Sequence, residues 1–392
     1  MRIAATLAVL AAFAAAPGHA GTYRQVYKFQ GAPDGANPTA GMILANGMLY
    51  GTTYHGGGGN YPGGDGTVFS INPTTGAEAV VHSFNGLKLG NLPQAGVIAV
   101  GQKLYGTTAN GGTQACGEVC GTVFSMNPAT GAETLVYDFL GAPDGRDPGA
   151  LLNAGRMLYG TTISGGTAGD GTVFAVDAKS GAETVLHSFQ GGNDGSAPYT
   201  GLIMVNGTLY GTTSAGGAAG FGTVFAVDPS TGAETVLHAF GGAPNDGATP
   251  MAGLLDVSGT LYGTNEFGGN TSCVSGCGTV FSIDPQSGTE TVLHSFDYTD
   301  GMYPLGGLIK VGGKLYGTTS AGGTGGVGNN GVLFALDPAT GKEKVLYAFA
   351  GSSDGMAPEG NLVDVGGTLY GTTSLGGLGR EYTLGTVFAY TP

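Results

Sequence analysis

One pentapeptide, Leu-Tyr-Gly-Thr-Thr, begins at residues 49, 104, 158, 209, 315 and 369 of the 392-residue chain and recurs as Leu-Tyr-Gly-Thr-Asn at 261. Its tyrosines, Tyr50, Tyr105, Tyr159, Tyr210, Tyr262, Tyr316 and Tyr370, are 55, 54, 51, 52, 54 and 54 residues apart. Seven copies of one unit therefore fill the chain, and any fold must be assembled from that unit.

Each unit holds four short runs of strand length, rich in Val, Leu, Phe, Tyr and Thr and divided by Gly, Pro, Asn and Asp. In the unit that starts near residue 306 they are Gly307 to Val311, Lys314 to Thr319, Gly331 to Asp337 and Glu343 to Phe349. The first junction is a two-residue turn such as Asn46-Gly47 or Asn206-Gly207, whose residues accept the positive φ of a tight hairpin. The third is Asp-Pro-x-Thr-Gly, as in Asp337-Pro338-Ala339-Thr340-Gly341, where proline presets one turn angle and glycine takes the left-handed position. Glycine supplies 80 of the 392 residues, but at fixed repeat positions, which is turn chemistry and not disorder.

Four antiparallel strands per unit follow, and apolar residues on both sides of them suit sheets covered on both faces by neighbours. The chain is thus predicted to be all-β, a seven-bladed β-propeller of four-stranded antiparallel blades. A parallel β-helix, the competing repeat architecture, has shorter coils and no paired hairpin turns.

The chain ends sharpen this expectation. The fourth-strand signature Val-Leu-His-Ser-Phe, or a close variant, ends at Phe84, Phe139, Phe189, Phe240, Phe296 and Phe349, whereas the last unit stops at Val387-Phe388-Ala389-Tyr390 without one. The missing copy stands near the start, as Val26-Tyr27-Lys28-Phe29. The N-terminal strand should complete the last blade and leave no unpaired edge in the ring.

With Leu-Tyr-Gly-Thr-Thr, a Gly-Gly loop, Gly-Thr-Val-Phe and Thr-Gly-x-Glu-x-Val-Leu-His-Ser-Phe in fixed order, residues 23 to 390 resemble the GloVer (Gloeo/Verruco) tandem repeat of bacterial exported proteins. The resemblance implies an exported propeller and no particular activity. Such proteins often carry a C-terminal surface anchor. This chain ends at Thr391-Pro392, so a free periplasmic or secreted form is expected.

Residues 1 to 20 read as a secretory signal peptide: Arg2, the apolar run Ile3 to Ala16, then Pro17-Gly18-His19-Ala20, with cleavage after Ala20. Residues 21 to 392 are left as a single propeller domain. The apolar run is shorter than the roughly 20 residues of a membrane span, and no later stretch approaches that length, so no membrane insertion is expected. Losing Arg2 changes 13 Lys+Arg against 27 Asp+Glu to 12 against 27, a formal charge of −15. So acidic a surface repels phosphate backbones and excludes nucleic acid as a partner. A monomer with no cofactor is the expectation.

Three repeat positions carry polar chemistry. Asp34, Asp144, Asp194, Asp246, Asp300 and Asp354 open an inter-blade Asp-Gly-x-x-Pro, replaced in the second unit by Lys88-Leu89-Gly90. A calcium ion needs six or more converging oxygens, and equivalent positions on a ring diverge, so each Asp should bond the backbone of its own turn. His82, His187, His238 and His294 are read as one position shared with Lys28, Tyr137 and Tyr347, which suits hydrogen bonding or packing and not metal or catalysis. The cysteines form two Cys-x-x-x-Cys loops, Cys116/Cys120 and Cys273/Cys277, in blades three steps apart. A single four-thiolate zinc site is ruled out by their separation, and local disulfides are expected in an oxidising compartment.

Strands one and three of a blade run the same way, so the inter-blade connector and the loop after the second strand share one face, the usual ligand face of a propeller. Departures from the repeat there nominate a site. The first blade offers Tyr54, His55, Asn60, Tyr61 and Asp65, the fifth Asn265, Glu266 and Phe267, and the last, beside the first, Arg380, Glu381 and Tyr382. Thr39, Gln94, Tyr199, Met251, Leu305 and Glu359 follow the connector prolines near the central mouth. Two readings follow. One is an exported, non-catalytic binding or scaffold protein that takes a polysaccharide or an envelope protein on this face. The other is a carbohydrate-active enzyme, a polysaccharide lyase or hydrolase, with His55 or a tyrosine as base and Arg380 neutralising a substrate carboxylate. No paired carboxylates, Ser/His/Asp order or metal-ligand spacing favours the second.

Overall fold

The computed structural model describes residues 21–59, 63–86, 88–112, 120–323, 329–351, 353–377 and 384–392. Seven antiparallel sheets stand in a ring, a seven-bladed β-propeller. Blade 1 runs outward from the axis as Ile43–Ala45, Met48–Thr53, Thr67–Ile71 and Glu78–Ser83. The second and third strands are almost wholly buried, as strands flanked by blades on both sides must be. In the last blade the outer strand is Thr22–Lys28, antiparallel to Thr386–Thr391, with Thr22 opposite Thr391 and Lys28 opposite Thr386. The N-terminus closes the ring as its sequence requires.

The hallmark pentapeptide is a packing device. Its glycine faces the phenylalanine of Gly-Thr-Val-Phe across the sheet, as Gly51 faces Phe69. A methyl group on Gly51 would stand 2.5 Å from that ring, and the same overlap recurs at Gly211 with Phe225 (2.6 Å). The missing side chain lets each ring lie flat over the strand. Against it comes the edge of the phenylalanine that ends the preceding blade: Phe29 on Phe69 at 5.0 Å, Phe240 on Phe281 at 5.2 Å, Phe349 on Phe388 at 5.2 Å. An edge-to-face pair of this kind crosses every seam.

The two threonines satisfy buried polar groups. The first reaches a main-chain carbonyl of the next blade, as Thr52 does to Ala95 (3.0 Å) and, across the closure, Thr372 to Ala40 (3.1 Å). The second bonds the threonine of Gly-Thr-Val-Phe, as Thr53 does Thr67 at 2.8 Å. Each residue before a connector proline takes a left-handed conformation, from Asn37 (φ 56°) to Ala357 (φ 52°). The reason is a double main-chain bond: Ala197 donates to Asp170 O of the preceding blade (2.9 Å) and accepts from Ser214 N of its own (3.0 Å).

The connector aspartates cap their own turns. Asp34 accepts from the N–H groups of Gln30 (2.9 Å) and Gly35 (2.7 Å), and from the Tyr27 hydroxyl at 3.0 Å. That last bond corrects the repeat alignment. Tyr27, not Lys28, holds the histidine position: Tyr27 lies opposite Val387 just as His82 lies opposite Val68. A β-bulge between Gln25 and Tyr27 matches the one every other outer strand carries, so the register is common to all blades: the histidine position lies two residues before the closing phenylalanine, His82 before Phe84 and Tyr27 before Phe29. Cys273 and Cys277 form a disulfide, and Cys120 is disulfide-bonded, while Cys116 lies outside the described residues. No helix among the described residues is long and apolar enough to cross a membrane, and residues 1–20, the expected signal peptide, are outside them.

Candidate site at the central mouth

The connector and the loop after the second strand pair with one another, as Gly35–Ala36 does with His55–Gly56, which fixes both on one face. Six post-proline side chains, with Gly149 at the seventh place, and seven residues just beyond the second strands therefore surround the axis on this face. Among them Tyr199 keeps 40% of its surface exposed. Its hydroxyl, carried by blade 4, lies 3.4 Å from Gln94 Oε1 of blade 2. Burial pushes its phenol up, and the nearby Glu359 of blade 7 and Tyr54 of blade 1 push it further. One aromatic side chain thus reaches Gln94 of another blade and feels the charge of groups on two more.

Glu359 accepts from Ser374 Oγ at 3.0 Å, and burial raises its carboxyl despite that bond. Tyr54 donates its N–H to Asn37 O (3.0 Å), and its ring meets His55 edge-on at 4.6 Å. Tyr199 and Gln94 meet, with Glu359 and Tyr54 near enough to act on the phenol, and make a half-open aromatic surface rimmed by hydrogen-bonding groups, in which burial favours the neutral forms of Tyr199 and Glu359.

The other sequence candidates separate. Asp65 is 1% exposed and accepts from Asn91 Nδ2 at 3.2 Å, so it ties blade 1 to blade 2. Asn265 is 0% exposed and donates to Thr279 Oγ1 at 3.0 Å, standing in for the second threonine of the pentapeptide. Glu266 occupies the repeat position of Tyr54, donates its N–H to Thr249 O (3.0 Å), and has its carboxyl raised by burial. Tyr61, Arg380, Glu381 and Tyr382 lie outside the described residues.

A second set of polar groups, on the outer rim, went unread. The glutamate of Thr-Gly-x-Glu reaches back to the Tyr or His of the preceding blade, as Glu133 does to His82 Nε2 at 3.1 Å. Its regular recurrence was the available signal, but its partner lies about one repeat away in sequence. A cleft of about 190 Å³ between the hairpins of blades 1 and 2, lined among others by Asn46, Tyr50, Gln102 and Lys103, and another of about 400 Å³ along Gln25 to Gln30 lie away from the mouth.

Fold and mouth define a repeat-built propeller whose variable groups gather on its axis. The chain belongs to the Gloeobacter/Verrucomicrobia repeat family, whose model matches residues 11–120, 60–275 and 270–392. No curated protein matches it. Among solved structures it is similar to the extracellular domain of a putative hybrid two-component system of B. thetaiotaomicron (13% identity, TM-score 0.58, 95% of this chain and 42% of that one). It is also similar to an oligogalacturonate lyase in complex with manganese (10% identity, TM-score 0.53, 96% and 94%), and to the oligogalacturonate lyase of Vibrio parahaemolyticus (9% identity, TM-score 0.53, 96% and 94%). At these identities the likeness is one of fold.

Proposed function

We propose that the protein is an exported, monomeric binding propeller of the periplasm or medium, and that it takes a glycan at the mouth of its loop face. The observation that carries this reading is Tyr199 lying across the mouth, with Gln94, Glu359 and Tyr54 beside it. A tyrosine ring offers an apolar face to the C–H side of a sugar ring, and flanking amide, carboxyl and hydroxyl groups meet the sugar's own hydroxyls. Placement on loops held by a rigid ring suits recognition. Export is supported by the N-terminal sequence and by disulfides, which persist in oxidising compartments.

The test is calorimetric titration of the mature chain with neutral and acidic oligosaccharides, with absorbance at unsaturated ends and a reducing-end assay run on the same samples. Binding without products, weakened at least tenfold in Tyr199→Ala, is expected. Equal binding by that variant would remove the mouth as the site, and new chain ends would replace the binding reading with the lyase or hydrolase one.

A further inference from the structure

Each seam between blades carries, toward its outer rim, a Tyr or His from one blade, in six of the seven with a connector Asp, and usually a Glu from the next. We propose that three of these seams are sites for a divalent transition-metal cation: His187, Asp194 and Glu234; His238, Asp246 and Glu290; and His294, Asp300 and Glu343. In each, one imidazole nitrogen and two carboxylate oxygens lie within 4.8 Å of one another. The imidazole Nε2 stands 3.2, 3.2 and 3.0 Å from the aspartate in the three sites. One nitrogen and two oxygens form a donor set that suits zinc, with water completing the tetrahedron, and too small a set for calcium.

Two further observations point to a cation. The Oε1 atoms of Glu234, Glu290 and Glu343 are shut off from solvent and have no hydrogen-bond partner, a costly state for a carboxylate that Glu78, Glu133 and Glu183 share at sister seams, but among the described residues only at these three do His and Asp donors both converge on it. The histidine and aspartate side chains meanwhile keep 17–24% of their surface, so an ion can enter without the seam unfolding.

The remaining seams explain why there are three sites and not seven. Tyr27, Tyr137 and Tyr347 replace the imidazole, and their phenols donate to Asp34 (3.0 Å), Asp144 (2.9 Å) and Asp354 (2.5 Å). At the seam of His82 the aspartate is absent from the sequence, and Nδ1 is 3.0 Å from Gly131 O. A metal in the other three would join consecutive blades from 3 to 6, because His and Asp come from one blade and Glu from the next.

The sister seams also supply the control. The mature chain is stripped with chelator and titrated with zinc chloride at neutral pH, with calcium chloride in parallel. About three zinc ions per chain are expected, matching the three clusters, together with a rise in Tm and no uptake of calcium at these sites. The triple variant His187→Tyr, His238→Tyr, His294→Tyr places at each seam the residue its sisters already use, and should take up none of the three. A second triple variant, Glu234→Gln, Glu290→Gln, Glu343→Gln, should bind at least tenfold more weakly. Absence of uptake by the wild type, or unchanged stoichiometry in the tyrosine variant, would overturn the proposal.

Discussion

Replacing Phe29 by alanine measures how firmly the N-terminal strand closes the ring. Phe29 is 0% exposed and packs edge-on against Phe69 of blade 1 at 5.0 Å. Phe240, inside the array, is also 0% exposed and meets Phe281 at 5.2 Å. Burial and geometry match, so the two truncations should cost the same, about 3–5 kcal/mol each, of which about 0.5–1.5 kcal/mol is the aromatic pair itself. Removal of the first 20 residues leaves 392 − 20 = 372. At roughly 2.1 cal/mol/K per residue, the unfolding entropy is about 0.8 kcal/mol/K, and either change should lower Tm by about 4–6 °C. Leu44→Ala, at a side chain 43% exposed, should stay within about 0.5 kcal/mol. Calorimetric melting and urea unfolding of residues 21–392 provide the readout. If Phe240→Ala lowers Tm while Phe29→Ala leaves it unchanged, the terminal strand is not an integral part of the seam and the closure argument fails.

Stability should also fall as pH rises from 5 to 8 in the presence of chelator. Burial, with help from facing aspartates, lifts the carboxyls of Glu78 (beside Asp34), Glu183 (Asp144), Glu234 (Asp194) and Glu290 (Asp246) to about 7, and that of Glu343 (Asp300, Asp297) to about 8. Tyr27, Tyr137 and His238 pull the other way at Glu78, Glu183 and Glu290. The folded chain then binds more protons than the unfolded one above the ordinary glutamate value of about 4.5, and the advantage is lost as pH passes 7 to 8. A Tm that climbs over this range would contradict the seam assignment. Gly211→Ala puts a methyl group 2.6 Å from Phe225 and 2.7 Å from Leu202, and should cost about 1–3 kcal/mol by overpacking, read as the urea midpoint. Cys273→Ser with Cys277→Ser opens a loop of sequence separation 4, and should cost about 2 kcal/mol, with the Tm gap to wild type disappearing under reductant.

What recurs seven times was legible in the sequence. Strand number, hairpin turns and closure all follow from periodicity and from one missing copy of the fourth strand, because each is a local pattern or a count. What depends on a neighbour one unit away was harder. Glu234 is an ordinary exposed-looking residue beside a turn until the next-door His187 and Asp194 are placed against it. Tyr27, by contrast, was readable in place of Lys28 as the histidine position, since it stands two residues before Phe29 as His82 stands before Phe84, and its pairing with Val387 agrees. At the mouth, Tyr54 and Tyr199 could be placed on the right face, but their meeting depends on how far a side chain from blade 4 reaches across the axis. Asp65 and Asn265 looked like departures with a function, and serve to fill polar positions that sister blades fill otherwise.

The two polar regions are wired differently, and this separates stability from recognition. At the rim, the connector aspartates are tied to the main chain of their own turn and to the Tyr or His of the same blade, as Asp246 is to Gly241 N (2.6 Å), Gly247 N (2.6 Å) and His238 (3.2 Å), with a glutamate of the next blade, here Glu290, set against them. A change there must disturb how two blades meet. At the mouth, Tyr199 and Gln94 stand between main chain tied by threonine hydroxyls, at Thr200 and Ala95, and by the left-handed residues before the prolines. Sister blades put Thr39, Met251 and Leu305 in the same place with the ring intact. The mouth residues can therefore vary without loosening the fold, which is the physical condition for a rigid repeat array to acquire a binding specificity at its axis.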